Sequence, residues 1–342
     1  MASPLRIGIL GTAKIARQFI NGVRPSKEVE IVGVASRDAA KGAAFAQELN
    51  IGHHYGSYES LLAARDIDAI YNPLPNGLHA EWSIRAAEAG KHVLCEKPLA
   101  ASAAEARAIF AAARQHGVHI VEGYPYCAQP QTLKMRELLD AGAIGKVQLI
   151  QASFGFTLAD SSNIRFDPGL GGGAMMDVGS YCVSLARLVA NQRASRVSAT
   201  AIWTDSGVDR TLVGTMEFPG GLLAQFGSSF TTALHRQALI VGTDGVLQTT
   251  FYNHPYPASP PVLLLKRGTG SPDSVFETLE VPAMNGFLAE AEAFARLVRG
   301  GEWNGVTPEE SIDIALTLDA LLASARDNGA HRDIVGLREN AG

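Results

Sequence analysis

Between Leu5 and Tyr124 the chain alternates short apolar, β-branched runs with stretches of helical periodicity, and that rhythm leaves few folds open. "LRIGIL" (5–10) is an apolar run ending at Gly11, after which Ile15, Phe19 and Val23 recur on one helical face. "VEIVGVAS" (29–36), "DAIYNPLP" (68–75), "KHVLCEKP" (91–98) and "VHIVEGY" (118–124) read as further strands. Helices are expected over 39–49, 78–89 and from a Ser102–Glu105 capping box to about 115. Strands separated by helices imply right-handed crossovers, hence a parallel sheet covered on both faces.

After about 124 the rhythm changes. Helices are expected at 131–141 and 173–189 and a long strand at 146–156. Six strands then follow one another at 195–203, 211–218, 222–230, 236–242, 246–251 and 262–267, with "PGG" (219–221) and "TDG" (243–245) as turns. Helices at 285–299 and 308–326 end the pattern. The expected fold class is α/β: a doubly wound parallel sheet over 1–123, then an α+β domain over 124–342 with one large, mostly antiparallel open sheet. Helices cover one face of that sheet. The other needs a polar surface or a second copy, so a dimer or tetramer through it is expected.

The 342 residues carry 46% hydrophobic and 18% charged side chains, enough for two sizeable cores. The formal charge of −5 (29 basic, 34 acidic) and the lack of a basic run argue against a nucleic-acid partner. No apolar stretch approaches the roughly 20 residues of a membrane span. The N-terminus enters a strand at once, which argues against a secretory signal. Cys95, Cys127 and Cys182 have no metal-like spacing, and a disulfide framework is not expected. A cytoplasmic protein is the expectation.

"ILGTAKIA" (9–16) has the shape of a dinucleotide loop, although Ala13 and Ala16 stand where the usual pattern has its second and third glycines. Gly11 supplies the tight turn, and Thr12 and Ala13 are expected to open the helix and offer N–H groups to a pyrophosphate. The alternative is a plain strand-to-helix turn. The second strand ends in "ASRD". Ser36 and Arg37 suit a ribose 2′-phosphate, because a guanidinium makes charge-assisted, forked bonds to it, whereas Asp38 could face an unphosphorylated ribose. NADP is therefore the expected cofactor, with NAD as the alternative.

"CEKP" (95–98) lies where the fifth strand leaves the sheet. Lys97 there can touch both nicotinamide ribose and substrate, or pair with Glu96 at the surface; a cis Lys97–Pro98 bond cannot be read from sequence. "GGGAMMDVGSYCVSLARLV" (171–189) places Asp177 and Tyr181 four residues apart, on one face of an otherwise apolar helix. They form either a functional pair or a helix-start acid and a core tyrosine.

Together "GILGTAKIA", "LPNGLHAEWSIRAAEAGKHVLCEKPLA" (74–100) and "GGGAMMDVGSY" (171–181), in this order and spacing, resemble the glucose–fructose oxidoreductase/inositol dehydrogenase superfamily, Gfo/Idh/MocA, over essentially the whole chain. The resemblance implies a Rossmann domain, an open-sheet C-terminal domain and NAD(P)-linked redox chemistry at a sugar or related alcohol carbon. It makes Lys97 the catalytic lysine, Asp177 a substrate-orienting acid and Tyr181 the proton-transfer residue. Asn76 and His79 match its N-x-x-H loop and would line the cofactor. The full expected cofactor set is Gly8, Gly11, Thr12, Ala13, Ile15, Ser36, Arg37, Pro73, Leu74, Asn76, His79, Glu96 and Lys97. The substrate set is Tyr124, Asn163, Arg165, Asp177 and Tyr181. Tyrosine at 181, where many members carry histidine, resembles the branch of dihydrodiol dehydrogenases and NADP-linked xylose dehydrogenases. "EGYPYCAQP" (122–130) departs from the family, with Cys127 where an arginine would stand; that contact is absent or moved, with Arg165 a candidate.

The expected activity is therefore NADP-dependent oxidoreduction of a sugar-like small molecule, with an aldose of the xylose type favoured. A keto-sugar such as an anhydrofructose, an inositol or a dihydrodiol are alternatives, and a non-catalytic NADP sensor is an alternative of another class. No G-x-S-x-G occurs, and Gly90-Lys91 and Gly145-Lys146 lack the earlier glycine of a P-loop. No metal site is expected: there is no H-E-x-x-H, and His53-His54 fall on a predicted loop. Phe154, Phe156 and Phe166 belong to cleft or core.

Overall fold

The computed structural model describes residues 3–254, 260–270 and 274–334. In chain order the elements begin β1 (Leu5–Leu10), α1 (Lys14–Val23), β2 (Val29–Ala35), α2 (Ala39–Leu49), β3 (His53–Tyr55), α3 (Tyr58–Leu62) and β4 (Ala69–Asn72). Next come α4 (His79–Glu88), β5 (His92–Glu96), α5 (Ala103–His116), β6 (Ile120–Gly123) and α6 (Pro130–Asp140). The strands β1–β6 form one parallel sheet in the order β3-β2-β1-β4-β5-β6. This is a doubly wound Rossmann sheet, whose ligand crevice lies at the carboxyl ends of the strands near β1 and β4. Ser102 accepts a hydrogen bond from Glu105 N and caps α5 as the sequence implies. The β3–α3 pair is an addition: His53 and His54 lie on a three-residue edge strand rather than a loop, because β2 supplies the pairing that their polar sequence does not announce.

The second sheet is built from β7 (Val147–Thr157), β8 (Arg196–Trp203), β9 (Asp209–Glu217), β10 (Leu223–Ser229), β11 (Thr231–Gly242), β12 (Gly245–Thr250), β13 (Leu263–Arg267), β14 (Glu277–Thr278) and β15 (Arg332–Asp333). Its order is β14-β13-β12-β11-β7-β10-β9-β8-β15, and all neighbours are antiparallel except β7 and β10. The helices α7 (Ser180–Ala190), α8 (Gly286–Val298) and α9 (Pro308–Arg326) complete the chain. On the helix-covered face, Ser324 of α9 accepts a bond of 3.0 Å from Ala199 N of β8. The opposite face exposes Ile202, Val213 and Leu223 to 54%, 54% and 49%. Among the described residues no helix is long and apolar enough to cross a membrane.

The compact units do not follow the chain as two consecutive blocks. One comprises 1–134, 252–261 and 281–312, the other 135–251, 262–280 and 313–342. Residues 281–312, assigned by sequence order to the second domain, thus belong with the Rossmann sheet. The reason is burial: Phe287, Ala291, Phe294 and Ala295 of α8 join the core formed by Ile7, Ile9, Phe19 and Tyr71. Phe19 stacks on Tyr71 with ring centroids 3.8 Å apart and meets Phe287 edge-on. Gly22 permits this approach, since a Cβ there would sit 2.9 Å from Asn285 Oδ1 and 3.1 Å from Phe287 Cβ. Asn285 caps α8 by accepting from Phe287 N.

Candidate active site

In the Rossmann unit, β1 is followed by Gly11, whose φ of +80° is a left-handed turn that side chains resist. A Cβ there would also lie 3.2 Å from Leu74. Thr12 and Ala13 precede the helix rather than open it: α1 starts at Lys14, and Ala13 is the extended N-cap. No side chain caps that terminus, and its first turn carries no acid. Its N–H groups are therefore suited to an anionic pyrophosphate, as a dinucleotide requires. Ile15 instead packs against the core. Gly8 lies mid-strand, where a Cβ would strike Leu61 and Ile67 at 2.9 Å, so its smallness serves packing rather than the cofactor.

At the end of β2, Ser36 is buried and its hydroxyl accepts from Asp38 N, while Arg37 is exposed. Asp38 caps α2 by accepting from Lys41 N at 3.0 Å. Tyr58, which sequence reasoning missed, stands beside the loop. Burial raises its pKa, and the Arg37 guanidinium next to it pulls the other way.

The β4 loop is held from within. Buried Asn72 donates to His79 O and Ser83 Oγ and accepts from Leu74 N. Pro73 and Leu74 are buried, and Asn76 is half-buried at the start of a 3-10 turn. His79 is fully buried, with Nδ1 2.8 Å from Pro98 O and Nε2 2.7 Å from Leu74 O. Two carbonyl acceptors favour the imidazolium, but burial is the larger effect and pushes the pKa down to about 4. His79 is therefore a clamp tying the β4 loop to the β5 loop, not a cofactor-lining side chain.

The Lys97–Pro98 bond is cis. Strand alternation turns Glu96 inward, where Tyr71 Oη donates to it at 2.6 Å, and leaves Lys97 half-buried on the other side. Glu96 is therefore a buried carboxyl held by the Tyr71 hydroxyl. It shares the interior with Glu290 of α8, whose carboxyl is pushed well up by burial and by Glu96. Glu122, also missed in the sequence, accepts from Leu99 N at 2.9 Å and holds the Lys97 loop from the side opposite His79. Burial raises its carboxyl to about 7, against the opposing pull of the Ser311 and Tyr124 hydroxyls and of Lys97. Tyr124 itself is 1% exposed, lies against Tyr126 and supports Glu122 through its hydroxyl.

Glu122 gives a pH prediction. Its unfolded pKa is near 4.5 and its folded value near 7, so between those values the folded chain holds a proton the unfolded chain has lost. The group's contribution is intact below pH 4.5 and is lost as pH rises through 7, by about 3 kcal/mol. Glu122→Gln is expected to flatten the fall in Tm between pH 5 and 8, measured by calorimetry beside the parent protein.

In the other unit, Asp177 and Tyr181 are placed differently from the sequence reading. Met175–Gly179 form a π-helical turn before α7 begins at Ser180, so the two side chains straddle a change of helical pitch. Asp209 holds that turn, accepting from Met175 N at 2.7 Å, and burial raises its carboxyl to about 6. Arg165 bonds Asp177 through Nε at 2.5 Å, and that carboxylate holds the guanidinium above its usual range. Asn163 accepts from Arg165 N, fixing the preceding turn. The structure thus brings Asn163, Arg165, Asp177 and Tyr181 together. Phe154, Phe156 and Phe166 pack against Ala174, Val178 and Phe230 beneath the π-turn. Tyr181 is 3% exposed, its ring 5.5 Å from that of Phe154. Arg236 of β11 lies over it, 3.8 Å from the ring centroid. The period-2 face of Arg236, Ala238 and Ile240, all buried, was the sequence signal for a charge pointing inward. Cys127, at the family's arginine position, is buried.

Residues 5–124 match the family model "Oxidoreductase family, NAD-binding Rossmann fold", and 132–248 match the "GFO/IDH/MocA C-terminal domain". The chain belongs to the Gfo/Idh/MocA family. It is an oxidoreductase with an NAD(P)-binding Rossmann domain. It is 40% identical over 328 residues to D-xylose 1-dehydrogenase (NADP(+)) 2 of Haloferax volcanii, covering 95% of this chain and 99% of that one. Over 244 residues it is 36% identical to trans-1,2-dihydrobenzene-1,2-diol dehydrogenase of Xenopus laevis, covering 70% and 74%. The crystal structure of KijD10, a 3-ketoreductase of Actinomadura kijaniata in complex with NADP and TDP-benzene, superposes with a TM-score of 0.86 at 31% identity, covering 94% and 98%.

Proposed function

We propose that this Gfo/Idh/MocA oxidoreductase uses NADP to interconvert a hydroxyl and a carbonyl on a free sugar, with an aldose of the xylose type as substrate. The observation that carries the reading is the Tyr181–Asp177–Arg165 cluster in one unit, matched by a Lys97 loop clamped by His79 and Glu122 in the other. The xylose dehydrogenase likeness, at 40% identity against 36% for the dihydrodiol dehydrogenase and 31% for the 3-ketoreductase, favours an aldose.

The bound nicotinamide supplies hydride transfer. The protein's part is to bind, orient and move one proton. Backbone N–H groups at the α1 N-terminus would hold the pyrophosphate, and Ser36 and Arg37 would hold the 2′-phosphate. Tyr181 Oη accepts the hydroxyl proton in oxidation and returns it in reduction. Lys97 Nζ stabilises the developing oxyanion and favours the phenolate. Asp177, fixed by Arg165, orients a neighbouring hydroxyl. The exposed face around Ile202, Val213 and Leu223 joins a second copy of the chain.

Loss of charge-assisted bonds predicts that Arg37→Ala weakens NADPH binding about 10–100-fold and leaves NADH binding within twofold. Fluorescence titration with both nucleotides reads this directly. The activity itself is tested with a panel of pentoses, hexoses, keto-sugars, inositols and dihydrodiols, each with NADP⁺ and NAD⁺. Turnover of an aldose with NADP⁺ supports the reading. Nucleotide binding with no turnover on any substrate replaces it with the sensor.

A further inference from the structure

We propose that Arg236 is a positioning residue that sets the proton affinity of Tyr181 by stacking a permanent cation on its ring. The inference rests on the proposed role of Tyr181. Arg236 is 4% exposed, an unusual place for a guanidinium. It faces three aromatic rings, at 3.8 Å from the centroid of Tyr181, 4.7 Å from Phe154 and 4.8 Å from Phe251. The β7–β11 register brings this about by pairing Arg236 with Phe154 directly across the strands.

A guanidinium over an aromatic face is attracted by the ring's negative quadrupole, most strongly where water is excluded. When the phenol gives up its proton, negative charge spreads into the ring and the attraction grows. The stacked cation therefore favours the phenolate over the phenol. Also charged near Tyr181 are Asp177, four residues earlier on the π-turn, and Arg165, which bonds Asp177 and feels Tyr181. Their charges oppose one another. Cys182, next along α7, also feels Arg236, though burial pushes its thiol up to about 12. From β7 comes Phe154, which is neutral, and from β10 Ser228, which lies against Gly179. A guanidinium does not deprotonate in a protein, so its effect is constant across the working pH range. In the oxidation direction the proton leaves the substrate hydroxyl for Oη and the hydride leaves the carbon for NADP⁺. In reduction both return, and Arg236 stabilises the phenolate that remains.

The test is the pH dependence of kcat/KM for oxidation in Arg236→Met and Arg236→Lys. Arg236→Met is expected to move the rising limb to higher pH by about one unit or more, with the NADPH Kd unchanged. Arg236→Lys, which keeps the charge without the planar stack, should move it less. A limb unmoved in folded Arg236→Met overturns the proposal, because loss of packing alone lowers activity without moving the limb. Ultraviolet difference titration of Lys97→Met against Lys97→Met/Tyr181→Phe carries the test even where Arg236→Met does not fold. Tyr181 should ionise below the ordinary value of about 10, and ionisation at or above it overturns the proposal. Full activity in Tyr181→Phe would remove the proposed function as well. An inactive Tyr181→Phe with an unmoved Arg236→Met limb removes only the role of Arg236.

Discussion

Replacing Tyr181 by Phe is expected to lower kcat by about 10²–10⁴-fold while leaving the NADPH Kd within twofold. The ring and its contacts with Phe154 and Arg236 survive the change, so the core of that unit keeps its packing. Only the oxygen that takes the proton is lost. Lys97→Met should act in the same direction, because it removes the amine proposed to stabilise the oxyanion while His79 and Glu122 still hold the loop. The two losses should combine less than multiplicatively, since both groups serve one proton transfer. Stopped-flow turnover and fluorescence titration of the four proteins separate chemistry from binding. Near-full turnover in either single variant with NADPH bound would contradict the assignment.

Phe294→Ala carries the largest expected effect on stability. Phe294 is completely buried in α8, more than 170 residues after the last of the strands it helps to cover. Deleting a buried aromatic ring costs about 3–5 kcal/mol through lost transfer energy and the cavity left behind. The loss should fall on the Rossmann unit, because α8 packs there. It should therefore appear as both a lower denaturation midpoint and weaker NADPH protection against unfolding. A Phe294→Ala protein with unchanged midpoint would mean that α8 is dispensable to that core.

The same helix shows where sequence reading ended. Its periodicity over 285–299 was plain, but nothing in a periodic pattern says which sheet will accept the apolar face. Gly22 and Phe19 supply the answer by leaving room for Phe287, and that is a contact across more than 260 residues. The parallel sheet was legible because β1, β4, β5 and β6 are almost wholly buried and so read as short apolar runs between helices. β3 was not, since three residues of "HHY" carry no period and are strand only through β2.

At the site, Gly11, Ser36, Arg37, Lys97, Asp177 and Tyr181 were visible as residue types at strand ends and on one glycine-led helix. His79 was read as a cofactor contact from the N-x-x-H resemblance, and Glu96 from its place where the fifth strand leaves the sheet. Whether a side chain turns inward depends on strand alternation and on partners such as Pro98 O and Tyr71 Oη. The π-turn at 175–179 was also hidden, because "MMDVG" suits an α-helix equally well and Asp209 holds the wider turn from another strand.

The proposed function requires the Lys97 amine and the Tyr181 phenol at the same substrate oxygen. A crystal structure with NADPH and an unreactive sugar analogue measures it. The account predicts Lys97 Nζ and Tyr181 Oη both within hydrogen-bond reach of one substrate oxygen, on the hydride-bearing side of the nicotinamide. Either atom turned away from that oxygen, or the two on opposite sides of the nucleotide, would contradict it.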